Sequence, residues 1–241
     1  MSVKTEELSN WKFRQVGKHA DWKESHDRNA STTEIFPDLI AQGIIQDPYK
    51  DRNESDVQWV GEADWEYQTV FDVDLEQPHK RQLAFKGLDT FAEVFLNGSS
   101  ILKTENMWRE YIVDLNKDHL SAGSNTLHIV FKSPLGVDRP FEPHSLIDSL
   151  DSSRMFVRKA QYHYGWDWGP VLLSSGIFRP VQLLTYKSAY LKDVFVDYNV
   201  ADTKDGSLQF NIKTELSDKV AGATIKHEIL DEGNFYGPLV R

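Results

Sequence analysis

Between Trp65 and Val73 the chain alternates with a period of two. Trp65, Tyr67, Thr69, Phe71 and Val73 fall on one side, and Glu66, Gln68, Asp72 and Asp74 on the other. Only an extended backbone puts every second side chain on one face, so this run predicts a half-buried β-strand. The same signature recurs at Leu83 and Phe85, and at Ala92, Val94 and Leu96 against Glu93 and Asn97. It returns at Tyr111 and Val113, at Leu127, Ile129 and Phe131, and in a closing strand at Val181, Leu183 and Thr185. Asn97-Gly98 is a strong hairpin turn signal, and Ser121 to Asn125 is a second turn cluster. Helical signal is confined to one short stretch, with Pro37 in the first turn, Asp38 to Gln42 as its body and Gly43 ending it. His19 to Ser31 reads as an irregular surface segment. Ser133 to Ser153 reads as a long Pro- and Ser-containing loop, of a length that is usually functional or mobile in a compact β domain. Many short strands with regular turns predict an all-β chain built as an antiparallel β-sandwich.

After Tyr186 a second β pattern begins. Leu191, Val194 and Val196 predict one strand, Leu208, Phe210 and Ile212 a second after the turn signal Asp205-Gly206, and Ala223, Ile225, His227 and Ile229 a third. The expected organisation is therefore a first domain over 1–186 and a second β unit over 187–241.

Hydrophobic content of 40% and charged content of 27% suit a globular protein with a full core, and 241 residues can supply one. A net charge of −10 argues against a nucleic-acid partner and is indifferent to a neutral sugar. No cysteine is present, which excludes disulfides, thiolate zinc sites and a cysteine nucleophile. Met1 to Asn10 is polar and shows no secretory h-region, and no apolar run has the length of a membrane span. The expectation is a cytoplasmic protein without a membrane partner and without a cofactor.

Gly165-Trp166-Asp167-Trp168-Gly169-Pro170 is the stretch richest in binding chemistry. Aromatic faces cover the C–H side of a pyranose, and a carboxylate accepts hydrogen bonds from its hydroxyls. Glycines and a proline fix an irregular backbone around the three side chains. The same residues also read as a buried Trp pair at a strand end with Asp167 capping a turn. Arg158-Lys159-Ala160-Gln161-Tyr162-His163-Tyr164 precedes the stretch, and Ser175-Gly176-Ile177-Phe178-Arg179-Pro180-Val181 follows it.

These segments together resemble the N-terminal domain of β-mannosidases of glycoside hydrolase family 2. The Gly-Ile-Phe-Arg element is shared across that family, and the Gly-Trp-Asp-Trp-Gly-Pro element is similar to its mannosidase branch. Gly43 to Pro48, Gln58 to Glu62, Gly87 to Val94, Leu96 to Gly98 and Glu105 to Met107 agree in order and spacing. The resemblance runs from about Trp11 to about Tyr186 and is most like the intracellular fungal-type branch. Phe36-Pro37 departs from it where a histidine is expected ahead of Asp38-Leu39-Ile40.

The resemblance implies a jelly-roll, galactose-binding-like sandwich followed by the incomplete start of an immunoglobulin-like sandwich. It implies hydrolysis of terminal non-reducing β-D-mannose with retention, which needs two carboxylates about 5 Å apart. In the family both are glutamates on a (β/α)₈ barrel, and no strand–helix alternation here suggests one. No catalytic residue is carried over, and Glu62, Glu93 and Glu105 are expected to be surface carboxylates. Asp167 carries over as a sugar-contacting carboxylate, with Trp166 beside it in the pocket wall. The expected ligand is a β-mannoside oligosaccharide. Trp168 is expected to pack beneath the loop, Arg179 to tie down a carboxylate or carbonyls, and Arg158 and Lys159 to hold Asp167 ionised. Tyr162, His163 and Tyr164 line the loop or belong to the core, and no second ligand near His163 suggests a metal. Two further readings stand beside the glycosidase one: a free-standing carbohydrate-binding module, and a non-catalytic partner that docks on a barrel-bearing chain.

Overall fold

The computed structural model describes residues 3–18, 21–135, 154, 156–202, 207–222, 224–231 and 234–238. It divides into two compact units, Lys4–Tyr186 and Lys187–Arg241, the latter also taking in Met1–Val3. Both are built from strands, as the alternation predicts.

In the larger unit the strands are β1 (Val3–Glu7), β2 (Lys12–Gln15), β3 (Lys23–Glu24), β4 (Thr33–Glu34), β5 (Trp65–Val73) and β6 (Lys80–Asp89). They continue with β7 (Phe91–Leu96), β8 (Ser99–Thr104), β9 (Tyr111–Leu115) and β10 (Gly123–Lys132), then β11 (Tyr164–Trp166), β12 (Gly169–Val171) and β13 (Gly176–Tyr186). Short helices α1 (Ile35–Ala41), α2 (Asn53–Asp56) and α3 (Trp59–Glu62) lie between β4 and β5. One sheet has the order β1-β13-β6-β9, with β4 also on β13, and the other the order β3-β2-β5-β10-β7-β8. β11 and β12 form a hairpin of their own.

The core lies between the two sheets. Phe13, Trp65, Tyr67, Phe71, Val94, Leu96, Leu127, Ile129 and Phe131 come from one, and Leu83, Phe85, Ile177 and Val181 from the other. β5 and β10 hold register from Trp65↔Phe131 to Val73↔Gly123, which keeps every inward residue of both strands on the core face. Trp65 is buried against Phe13 and Trp59, and its indole N–H donates to Val60 O at 2.9 Å. Asn97 and Gly98 both take positive φ, 51° and 85°, the type I′ geometry that matches strand twist in a two-residue hairpin.

α1 begins earlier than its sequence signal. It opens at Ile35, so Pro37 sits in the first turn, where its missing N–H costs nothing. Gly43 N–H donates to Ile40 O and Ile44 N–H to Leu39 O, with Gly43 at φ 65°, a Schellman ending. Asp38, in the first turn of α1, is fully buried. It accepts from Thr33 Oγ1 (2.7 Å), Tyr67 OH (2.9 Å) and the His26 backbone N–H (2.7 Å), and His26 Nδ1 lies at 2.7 Å. That bond ties down part of the segment read as an irregular surface, which also contributes β3.

In the smaller unit β14 (Leu191–Asp202) pairs with β15 (Ser207–Leu216), and β16 (Glu228–Asp231) with β17 (Asn234–Pro238). The third predicted strand is corrected here. Ile225 and His227 lie outside any strand, and β16 starts at Glu228. The predicted loop beyond Leu135 lies, over 136–153, outside the described residues, as does the Asp205-Gly206 turn.

Candidate functional site

The Trp-Asp-Trp stretch forms the tip of the β11–β12 hairpin. Trp166 pairs with Gly169, leaving Asp167 and Trp168 as a two-residue turn. Gly165 has φ 89°, and a Cβ there would meet Val171 Cγ2 at 2.7 Å, so a side chain would force the two strands apart. Pro170 is tolerated because the pairs across the hairpin are Trp166 with Gly169 and Tyr164 with Val171, so no ladder bond calls on its missing N–H.

The hairpin is held at its base. Val171 N–H donates to Glu54 Oε1 at 2.7 Å, and Gln58 Nε2 donates to Val171 O at 3.0 Å, so α2 and its C-terminal flank grip one strand. Leu172 N–H donates to His163 O at 3.1 Å. The preceding segment is tied to the Glu105-Asn106-Met107 motif. Asn106 and Arg158 form a β-bridge, Met107 N–H donates to Arg158 O (3.0 Å), and Ala160 N–H points at Met107 Sδ (3.0 Å).

Beneath the hairpin lies a buried charged cluster. Lys159, 1% exposed, donates from Nζ to Asp89 Oδ2 and to Ser174 O (2.6 Å). Ser174 Oγ donates to Glu34 Oε2 at 3.2 Å. His163 Nδ1 sits 3.5 Å from Asp89 Oδ2 and is buried without a hydrogen bond among the described residues. Burial pulls the Lys159 ammonium down from its usual range, and Asp89 and Glu34 oppose that. Burial pushes the Glu34 carboxyl up, with Asp89 adding to it and Ser174 and Lys159 opposing. Burial together with the Lys159 charge lowers His163 to about 4, so its imidazole is neutral at physiological pH.

At the tip the side chains are open. Asp167 is exposed and makes no hydrogen bond or ion pair among the described residues. Trp166 is 50% and Trp168 72% exposed. The Arg154 guanidinium lies 5.9 Å from the Trp166 ring. Trp168 and Tyr162 face each other at 6.3 Å between ring centroids, tilted by 39°. A cavity of about 340 Å³ opens along the β12 side of the hairpin, bounded among others by Glu34, Tyr49, Tyr162, His163, Trp168 and Ser174.

Several sequence expectations change. Trp168 does not pack beneath the loop; the turn turns it outward and it bounds the cavity. Trp166 and Asp167 do not border that cavity. Lys159 holds Asp89, not Asp167, because its ammonium is buried on the sandwich side of the hairpin. Arg179 is exposed, with its guanidinium over the Phe178 ring at 5.2 Å and no ion pair among the described residues. Sequence reasoning missed Glu34, Tyr49 and Glu54 as parts of the site. Glu54 carries no local signal, since its partner Val171 is far along the chain. Among the described residues no three His, Asp or Glu side chains converge as a metal site.

The glycosyl hydrolase 2 galactose-binding domain-like family matches residues 11–179. Beta-mannosidase B of Thermothelomyces thermophilus is 43% identical over 78% of the chain and 22% of its own length. Beta-mannosidase B of Aspergillus terreus is 40% identical over 69% of the chain and 20% of its own. The chain thus spans about a fifth of these relatives. The crystal structure of β-D-mannosidase from Dictyoglomus thermophilum superimposes with a TM-score of 0.75 and 34% identity, over 90% of this chain and 26% of that one. A β-D-glucuronidase of the same organism shares the fold at a TM-score of 0.59 and 15% identity. An all-β sandwich of this topology, matched over most of its length in family, sequence and structure, belongs to glycoside hydrolase family 2 as its galactose-binding-like portion.

Proposed function

We propose that this chain is the front portion of a β-mannosidase that releases terminal non-reducing β-D-mannose with retention. It supplies scaffold and a sugar-contacting loop, and the catalytic carboxylates lie on a barrel outside it. The observation that carries this reading is the hairpin tip. A carboxylate with no partner among the described residues stands between two exposed tryptophans, on a hairpin tied down at its base by Glu54 and Gln58. Large exposed aromatic surface is costly in water unless a ligand or partner covers it. Asp167 accepts hydroxyls of the terminal sugar, and Trp166 covers part of its apolar face. The relatives named β-mannosidase support mannose over other sugars. A cytoplasmic location and a manno-oligosaccharide substrate are part of this proposal. A second reading, a non-catalytic chain docked on a separate barrel-bearing chain, draws on the same exposed aromatic surface.

The test is hydrolysis of aryl β-mannoside, β-galactoside and β-glucuronide by the polypeptide that contains this segment and a barrel. The proposal expects the mannoside to be turned over with a kcat/KM at least about a hundredfold above the others. Preference for either other sugar would overturn it. Hydrolysis only after a separate barrel chain is added would favour the second reading.

A further inference from the structure

We propose that Glu54 is a positioning residue for Asp167, holding the hairpin at the angle from which that carboxylate meets the terminal sugar. The proposal rests on the reading of Asp167 as the sugar contact. Glu54 itself touches no ligand and acts only through β12.

Bonds between the two arms of the hairpin, such as Leu172 N–H to His163 O, keep the shape of the ribbon but not its direction. Direction is set where an arm is fastened to the sandwich. The first arm is fastened at Arg158, to Met107, and at Lys159, to Asp89, well before β11 begins. The second is fastened inside β12 itself. Glu54 Oε1 accepts Val171 N–H at 2.7 Å, and Gln58 Nε2 donates to Val171 O at 3.0 Å. Side chains thus hold both backbone groups of one residue, as a neighbouring strand would. A carboxylate acceptor makes the stronger of the two bonds, since an ionised oxygen bonds an N–H about twice as strongly as a neutral one.

The clamp has a firm seat. Val57 and Val60, 3% and 1% exposed, bury its underside in the core. Gln58 Nε2 also donates to Glu54 O at 2.7 Å, and Asn53 Nδ2 donates to Asp47 O at 2.9 Å. Gly61 in α3 lies so close to the chain leaving the hairpin that a Cβ there would meet Leu173 Cβ at 2.7 Å. Val171 and Leu173 therefore both rest on the α2–α3 segment. Leverage makes this seat matter to the tip. About 13 Å of extended chain, at roughly 3.3 Å per residue, separates Val171 from Asp167. A tilt of about 5° at the base moves the carboxylate by about 1 Å, and a displacement of that size can cost about a hundredfold in rate.

The experiment is a double-mutant cycle on kcat/KM for an aryl β-mannoside, in the polypeptide that contains this segment and its barrel. Glu54→Ala is expected to lower kcat/KM about tenfold, divided between kcat and KM in the same proportion as the loss from Asp167→Ala. Glu54→Gln keeps an acceptor oxygen at the same reach and is expected to recover most of the activity. In the Asp167→Ala background, Glu54→Ala is expected to cost less than about twofold further, because the group it positions is gone. A general weakening of the fold would act alike in both backgrounds, so equal losses overturn the proposal. Gln58→Ala, at an exposed position, releases Val171 O and gives the same cycle if Glu54→Ala weakens folding. Wild-type kinetics in Glu54→Ala beside a loss in Asp167→Ala would remove the positioning role alone. Wild-type kinetics in Asp167→Ala would remove the sugar contact beneath it, and the positioning role with it.

Discussion

Lys159 holds the site together more than the residues that would touch a sugar. Its ammonium bridges the end of β6, through Asp89, to the chain leaving the hairpin, through Ser174 O. Lys159→Met leaves Asp89 buried without its cation, and the expected cost is about 3–5 kcal/mol in urea unfolding. A loss under about 1 kcal/mol would mean that the cluster relaxes and takes in water. His163 adds a pH dependence of definite sign. Its folded pKa is lowered from 6.5 to about 4, so between those values the unfolded chain binds the extra proton. Stability is full above about pH 6.5 and falls as pH drops toward 4, by on the order of 3 kcal/mol. Glu34 works in the opposite sense. Its raised pKa favours folding at low pH and loses that contribution as pH rises above 4.5. His163→Gln should remove the acid-side loss, so its unfolding free energy falls less than wild type between pH 7 and 4.5. Parallel pH curves would contradict the assignment. The sequence made Asp167, Trp166, Lys159 and His163 visible through one local stretch, but it paired Lys159 with Asp167 and gave no sign of Asp89 or Glu34. Lys159 and Asp89 are 70 positions apart, and only the fold brings them together.

At the scale of elements, the strands announced themselves wherever one face is buried. β5, β7 and β10 alternate because one side of each meets the core while the other is mostly half-buried or exposed. β6 is buried on nearly its whole length, so only Leu83 and Phe85 marked it. The stretch from Ala223 to Ile229 alternates too, yet the strand starts only at Glu228, since alternation without a partner strand does not make a ladder. The stretch was legible as an irregular loop of glycines around aromatic residues, but neither its pairing as a hairpin nor its anchoring by Glu54 and Gln58 was. Gly165→Ala tests that element. Positive φ and the clash with Val171 should cost about 1–3 kcal/mol and shift the tip. A thermal unfolding curve superimposable on wild type would show that the hairpin has a second, relaxed geometry.

For the molecule as a whole, the sandwich is a platform that carries the Trp-Asp-Trp hairpin, tied to it at its base. Its core depends on aromatic side chains that span the space between sheets. Trp65→Ala removes the largest of those on β5 together with its bond to Val60, and is expected to destabilise the chain by about 3–5 kcal/mol. An unchanged melting temperature would mean that this face is not the core. The most direct test of the account is the opposite kind of substitution, at the tip. Asp167→Ala, in the polypeptide that joins this segment to its barrel, removes an exposed side chain with no partner among the described residues. The account predicts a kcat/KM on β-mannosides lower by at least about tenfold, with the melting temperature unmoved. Wild-type kinetics would contradict it, and the hairpin would then be a structural ornament of the sandwich rather than part of a sugar site.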